Sequence, residues 1–160
     1  MRKAKSIIII AVLCLLGSAV NAQSIEWLPM EKAQQLAVKN DKKVMIFAEA
    51  EWCGYCKRME EEVFPKESVS DSLRKYFYPV RLDIESDGKV VFNGQEYTGQ
   101  VLSRKFRVYS TPTFIFLTSK GTIIGRQPSY MPTDIFAKLL GYVGDEVYLN
   151  QKFEEYLKQK

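Results

Sequence analysis

Glu49-Ala50-Glu51-Trp52-Cys53-Gly54-Tyr55-Cys56-Lys57 follows directly on the run Val44-Met45-Ile46-Phe47-Ala48. The run is short, apolar and uninterrupted, the pattern of a strand covered on both faces. The stretch after it holds two cysteines three positions apart. A helix starting within Cys-x-x-Cys places the first thiol at its N-terminus and the second one turn inside. The first thiolate then receives backbone N–H groups and the positive end of the helix dipole. Both favour S⁻ and lower the pKa below the free value of about 8.5. On this reading Cys53 is the attacking nucleophile and Cys56 the resolving thiol that breaks a mixed disulfide. The pair needs no cofactor beyond its own redox-active disulfide.

Composition narrows the alternatives. The 160 residues contain no histidine. That excludes Ser-His-Asp and Cys-His nucleophilic sites, His-ligated zinc and His acid–base chemistry. The formal charge is +4, but Arg2, Lys3 and Lys5 supply three of those charges, and the rest of the chain is close to neutral. Nothing there points to a nucleic-acid partner. The length and the 46% hydrophobic content fit one globular domain with a real core.

Residues 1–22 read as a secretory signal peptide. A basic start precedes an apolar run from Ile7 to about Val20, and Val20-Asn21-Ala22 is a small-residue cleavage site. The run is shorter than the roughly 20 residues a spanning helix needs, although an uncleaved anchor is the alternative. Cys14 lies within the run and is discarded with it. The mature domain, residues 23–160, then keeps only Cys53 and Cys56 and works outside the cytoplasm, in the periplasm. A pair so close in sequence is a weak structural staple, because closing so short a loop removes little unfolded-state entropy. Zinc needs four ligands, and two cysteines supply half a site unless a dimer shares it. No metal is therefore expected.

Periodicity supplies the frame. Apolar residues at 30, 33, 36 and 37 predict a helix. A second helix carries Met59 and Val63 and stops before Pro65, and a third carries Val69, Leu73, Tyr76 and Phe77. Tyr78 to Ile84 is a strand. Asn93-Gly94 signals a tight hairpin, and Thr98 caps a helix reaching Phe106. Thr113–Leu117 and Thr122–Arg126 are strands joined through Gly121. Thr133 caps a helix bearing Ile135, Phe136, Leu139, Leu140 and Val143. A final helix runs from about Glu146 to Lys158, with Leu149, Phe153, Tyr156 and Leu157 on one side. The whole is an α/β domain with a mixed central sheet and helices on both faces.

Trp52-Cys53-Gly54-Tyr55-Cys56-Lys57 after a hydrophobic strand, with Thr111-Pro112-Thr113-Phe114 some way downstream, resembles the thioredoxin superfamily. Phe92-Asn93-Gly94, Arg104-Lys105-Phe106-Arg107-Val108 and Phe153-Glu154-Glu155-Tyr156-Leu157 are similar to exported SoxW-type thioredoxins. The resemblance implies a thioredoxin-like fold with an extra hairpin insertion and a C-terminal helix. It implies a cis bond at Pro112 beside the dithiol and a free backbone edge at Thr111, where an extended substrate pairs. Trp52, Gly54, Tyr55 and Pro112 would form an apolar rim around the reactive sulfur. Two positions depart from the family. Phe47 stands where many members carry a buried aspartate that handles the proton of the resolving thiol, which leaves Glu49 and Lys57 as candidates. Ser129 stands where a glycine lets substrate approach.

The expected activity is reduction of disulfides in extracytoplasmic client proteins by a monomeric domain. A membrane thiol-electron transporter would keep it reduced, since the pair would otherwise drift to the disulfide in an oxidising space. The alternatives are a dithiol oxidase or isomerase, and a non-catalytic binding module that uses the apolar rim.

Overall fold

The computed structural model describes residues 25–158. The expected signal peptide, its cleavage site and Cys14 lie outside the described residues. A helix α1 (Met30–Asn40) leads into strand β1 (Lys43–Glu49). The motif helix α2 (Gly54–Arg58) continues as a π-helical turn, Met59–Val63. Helix α3 (Glu67–Tyr76), strand β2 (Phe77–Asp83), the hairpin β3 (Lys89–Phe92) and β4 (Gln95–Thr98), and helix α4 (Gly99–Lys105) follow. Strands β5 (Thr113–Leu117) and β6 (Ile123–Pro128) precede helix α5 (Thr133–Gly144) and a short C-terminal helix α6 (Phe153–Tyr156).

The central sheet has the order β2-β1-β5-β6. β1 runs parallel to β2 and antiparallel to β5, and β5 is antiparallel to β6. Alternation along β1 divides the core in two. Met45 and Phe47 face the layer of α2, α3 and α5, with Phe114 and Phe116 of β5 beside them. Val44, Ile46 and Ala48 face α1, α4 and the hairpin, with Ile115 and Leu117 beside them. Burial on both faces is why β1 and β5 read as continuous apolar runs and not as alternating ones.

Local chemistry explains several boundaries. Thr98 Oγ1 accepts from the Val101 N–H at 3.2 Å and caps α4. Asn93 (φ 50°) and Gly94 (φ 76°) are both left-handed, as a two-residue hairpin turn demands. The hairpin is tied to α1 where Asn93 Oδ1 accepts from Gln34 Nε2 at 2.6 Å and the Asn93 N–H donates to Gln34 Oε1 at 3.0 Å. Gly99 lets α4 lie against the end of β2, since a Cβ there would stand 2.2 Å from the Asp83 carbonyl oxygen.

Three expectations are corrected. Phe77 does not belong to the third helix: its backbone is extended and it opens β2 opposite Lys43. Thr133 is not a cap: it is the first residue of α5, after Pro132, and its hydroxyl donates to the Glu62 carbonyl at 3.4 Å. The C-terminal segment is not one helix from Glu146 to Lys158. Glu146 takes a left-handed backbone (φ 59°) and a single turn over Val147–Leu149 follows. The chain then folds back so that Tyr142 donates to the Gln151 carbonyl at 2.6 Å. Phe153 and Tyr156 pack on Tyr142 at 5.1 and 5.4 Å, while Leu149 is left exposed. The apolar spacing serves an aromatic clasp on α5 and not a helix face.

Phe114 sits at the centre of the α2-side core, with ring centroids 4.6 Å from Phe136 and 5.5 Å from Phe47. Phe114→Ala is expected to lower stability by about 3–5 kcal/mol, the usual effect of removing a fully buried phenylalanine ring. Urea unfolding followed by far-UV circular dichroism measures it, and a loss under about 1 kcal/mol would show that the ring cluster is not the core.

Candidate active site

β1 delivers the chain to Ala50, and the Cys53 N–H closes a turn by donating to the Ala50 carbonyl at 3.0 Å. Cys53 is the N-cap of α2, with an extended backbone (φ −75°, ψ 98°). Its carbonyl accepts from the Cys56 and Lys57 N–H groups at 3.1 and 3.2 Å. Its Sγ accepts from the Cys56 N–H at 3.1 Å. The first sulfur therefore occupies the place of a capping oxygen, where helix N–H groups and the dipole stabilise negative charge. Cys53 and Cys56 are joined by a disulfide with a Cα–Cα separation of 5.2 Å. This pair is the redox-active centre.

Both cysteines are buried in this oxidised form, Cys53 at 4% and Cys56 at 1% exposure. The position of Cys53 at the helix N-terminus does not expose it here, because its Sγ is bonded to Cys56. Trp52 (65% exposed) and Tyr55 (57%) stand in solvent and not in the core. Gly54 is exposed, and a Cβ built there meets nothing within 4 Å.

The register Ala48↔Thr113 places the start of β5 beside the end of β1. Thr111 and Pro112, just before β5, therefore reach the level of the cysteine turn. Their peptide bond is cis. Pro112 is buried, and Thr111 Oγ1 is buried without a hydrogen-bond partner among the described residues. The Pro112 carbonyl accepts from the Ser129 N–H at 2.8 Å, so the segment after β6 is fastened to the proline turn. Ser129 holds φ 80°. That backbone suits a glycine better than an L-residue.

Phe47 is fully buried among rings, 5.1 Å from Phe64 and 5.8 Å from Trp27. Glu49 is engaged: its Oε1 accepts from Arg81 Nη1 at 3.1 Å, and the same guanidinium pairs with Glu60 and stands 4.7 Å over the Trp27 ring. Lys57 is exposed on α2. Among the described residues there is no group of three or more Cys, Asp or Glu side chains that could hold a metal ion.

The sequence reading missed a second constellation on the same helix. Arg58 Nε and Nη2 donate to the two Glu62 carboxylate oxygens at 3.0 and 2.9 Å. The Tyr130 hydroxyl also donates to Glu62, at 2.9 Å. The Arg58 guanidinium lies 4.5 Å over the Tyr130 ring and 5.9 Å from that of Tyr55. The Arg58 hydrogen bonds, then that of Tyr130, hold the Glu62 carboxyl below the usual carboxylate range. The same Glu62 contact raises Tyr130 above an ordinary phenol. The signal was present in the spacing of 55, 58 and 62, one helical stripe. The partner, Tyr130, is too distant in sequence to be read from it.

Residues 30–144 match the family model of the thioredoxin-like domain. A thioredoxin from Thermus thermophilus is 31% identical, with 76% of this chain and 88% of that one aligned and a TM-score of 0.61. A thioredoxin-fold protein from Helicobacter pylori is 23% identical, with 74% and 84% aligned and a TM-score of 0.67. No curated protein matches.

Ser129→Gly removes a side chain from a left-handed backbone that costs L-residues about 1–2 kcal/mol, partly offset by the greater unfolded freedom of glycine. The variant is expected to be as stable as the wild type or more so, by up to about 1 kcal/mol. A destabilisation in urea unfolding would contradict this account of Ser129.

Proposed function

The chain belongs to the thioredoxin-like domain family, and from that premise we propose that it is an exported protein-disulfide reductase acting through Cys53 and Cys56. The observation that carries the reading is the Cys53 sulfur seated as the helix N-cap and bonded to Cys56 one turn on.

In the reduced protein the Cys53 thiolate attacks one sulfur of a client disulfide. A bond forms between Cys53 and that sulfur, and the other client sulfur leaves as a thiolate that takes up a proton. Cys56 then loses its proton and attacks the Cys53 sulfur. The mixed disulfide breaks, the second client thiol is released, and Cys53–Cys56 is left oxidised. Two electrons have passed from the dithiol to the client. A membrane thiol-electron transporter returns them. Glu49 is the candidate for the Cys56 proton: it shares the strand face of Phe47, on the α2 side, whereas Lys57 is exposed.

Trp52, Gly54 and Tyr55 form one bank of the client groove, and Thr111 and Pro112 the other. The Thr111 backbone continues the line of β5 as an edge for an extended client segment. The domain acts as a monomer on protein clients and not on nucleic acid. We place it with the exported SoxW-type thioredoxins on its hairpin insertion and its Phe153–Leu157 tail. Residues 1–22 act as its signal peptide, so that the work is done in the periplasm.

Cys56→Ser is expected to accumulate mixed disulfides with client proteins and Cys53→Ser almost none, read on non-reducing gels after acid quenching. Equal trapping by both variants would reverse or abolish the assigned roles. Glutathione equilibration should give a potential near thioredoxin's, about −270 mV. A value near that of strong oxidants, about −120 mV, would reverse the direction.

Intact mass spectrometry of protein from its native host should find a mature start at Gln23. A membrane-bound form that retains Met1 would favour an uncleaved anchor.

A further inference from the structure

Tyr55, Arg58 and Glu62 form one stripe of the motif helix, at i, i+3 and i+7. The neighbouring stripe, Cys56, Met59 and Val63, is buried and fixes the helix to the sheet. The outer stripe is not needed for that purpose. Arg58 and Glu62 are each about half exposed, and exposed ion pairs contribute little to stability. Yet this stripe is contacted from a separate part of the chain. Tyr130 donates to Glu62, lies under the Arg58 guanidinium, and has its ring centroid 6.0 Å from that of Tyr55. The Thr133 hydroxyl adds a second tie to the Glu62 carbonyl.

The residue before Tyr130 is the strained Ser129, whose N–H is fixed to the Pro112 carbonyl. Pro112, Ser129, Tyr130, Glu62 and the α2 helix thus form a closed chain of contacts. It starts on the proline bank of the dithiol and ends on the cysteine bank. Without Tyr130 the two banks would be joined on this side only by the long Thr133–Glu62 contact, the backbone and the core beneath.

We propose that Tyr130 is a positioning residue for the dithiol reaction: by tying the segment after β6 to the motif helix, it fixes the width of the groove that a protein disulfide must enter. This rests on the reductase reading above. A polypeptide client touches both banks at once and gains from a groove held at one width, because less motion is lost on binding. A small disulfide meets only the sulfur and is indifferent to the width. Tyr130 is therefore a determinant of preference for protein over small-molecule disulfides.

The test compares insulin with hydroxyethyl disulfide as substrates of the purified protein under steady state, with dithiothreitol as the reductant that regenerates the Cys53–Cys56 dithiol and the uncatalysed rate subtracted. Tyr130→Phe keeps the ring and removes only the hydroxyl, so the fold is preserved. It is expected to raise KM for insulin about threefold, the effect of one hydrogen bond. Tyr130→Ala also removes the ring from beneath Arg58 and is expected to raise it about tenfold. kcat on insulin and both constants for hydroxyethyl disulfide should stay within about twofold of wild type, a smaller change than one hydrogen bond produces. Glu62→Gln keeps an acceptor for the hydroxyl and should fall between wild type and Tyr130→Phe. A parallel loss on both substrates, a fall in kcat alone, or no change in either variant would overturn the proposal. Wild-type turnover of the two disulfides tests the reductase reading by itself, and the ratio between them across variants tests the role of Tyr130.

Discussion

Phe47, Phe64, Phe114 and Phe136 meet ring to ring beneath the dithiol, with centroid separations of 5.1 Å for 47–64, 5.5 Å for 47–114 and 4.6 Å for 114–136. β1, the end of the motif helix, β5 and α5 each supply one ring. The motif helix rests on this floor through Cys56, Met59 and Val63. Its π-helical turn, closed where the Phe64 N–H donates to the Met59 carbonyl at 2.9 Å, rolls Phe64 into the cluster just before Pro65 ends the helix. The height of Cys53 above the sheet, and its alignment with Thr111 and Pro112, follow from that packing. So does the absence of a carboxylate at position 47. An aspartate there would be buried among rings, and an unpaired buried charge is costly. The helix keeps its carboxylates at its flanks, where Arg81 meets Glu60 and where Arg58 and Tyr130 meet Glu62.

The parts that were legible in the sequence are those decided by near neighbours. Two apolar runs buried on both faces marked β1 and β5. Asn93-Gly94 set a turn by its backbone preference, and Thr98 set a cap by one side-chain bond. Cys53 and Cys56 declared their chemistry by their spacing after a buried strand, in a chain without the further ligands that zinc needs. What was misread or missed turned mostly on residues distant in sequence. Thr133 looked like a cap, but Pro132 opens the helix and the hydroxyl turns to Glu62. Leu149, Phe153, Tyr156 and Leu157 had helical spacing, but Tyr142 gathers the aromatic pair and Glu146 breaks the backbone. Tyr130 carried no local signal, because its meaning lies in a carboxylate 68 positions earlier.

The sheet's outer strands carry a further consequence. β2 has Pro79, which lacks an N–H, and Arg81, whose guanidinium is held by Glu49 and Glu60. The Pro79 carbonyl is already taken by the Leu28 N–H at 2.9 Å. β6 ends on Pro128, with Arg126 exposed beside it and a register shift near its start. Proline, charge and irregular register are the features that stop one sheet from templating another. In the proposed role, such a border discourages a client segment from pairing along the outer strands of the sheet and leaves extended pairing to the edge at Thr111.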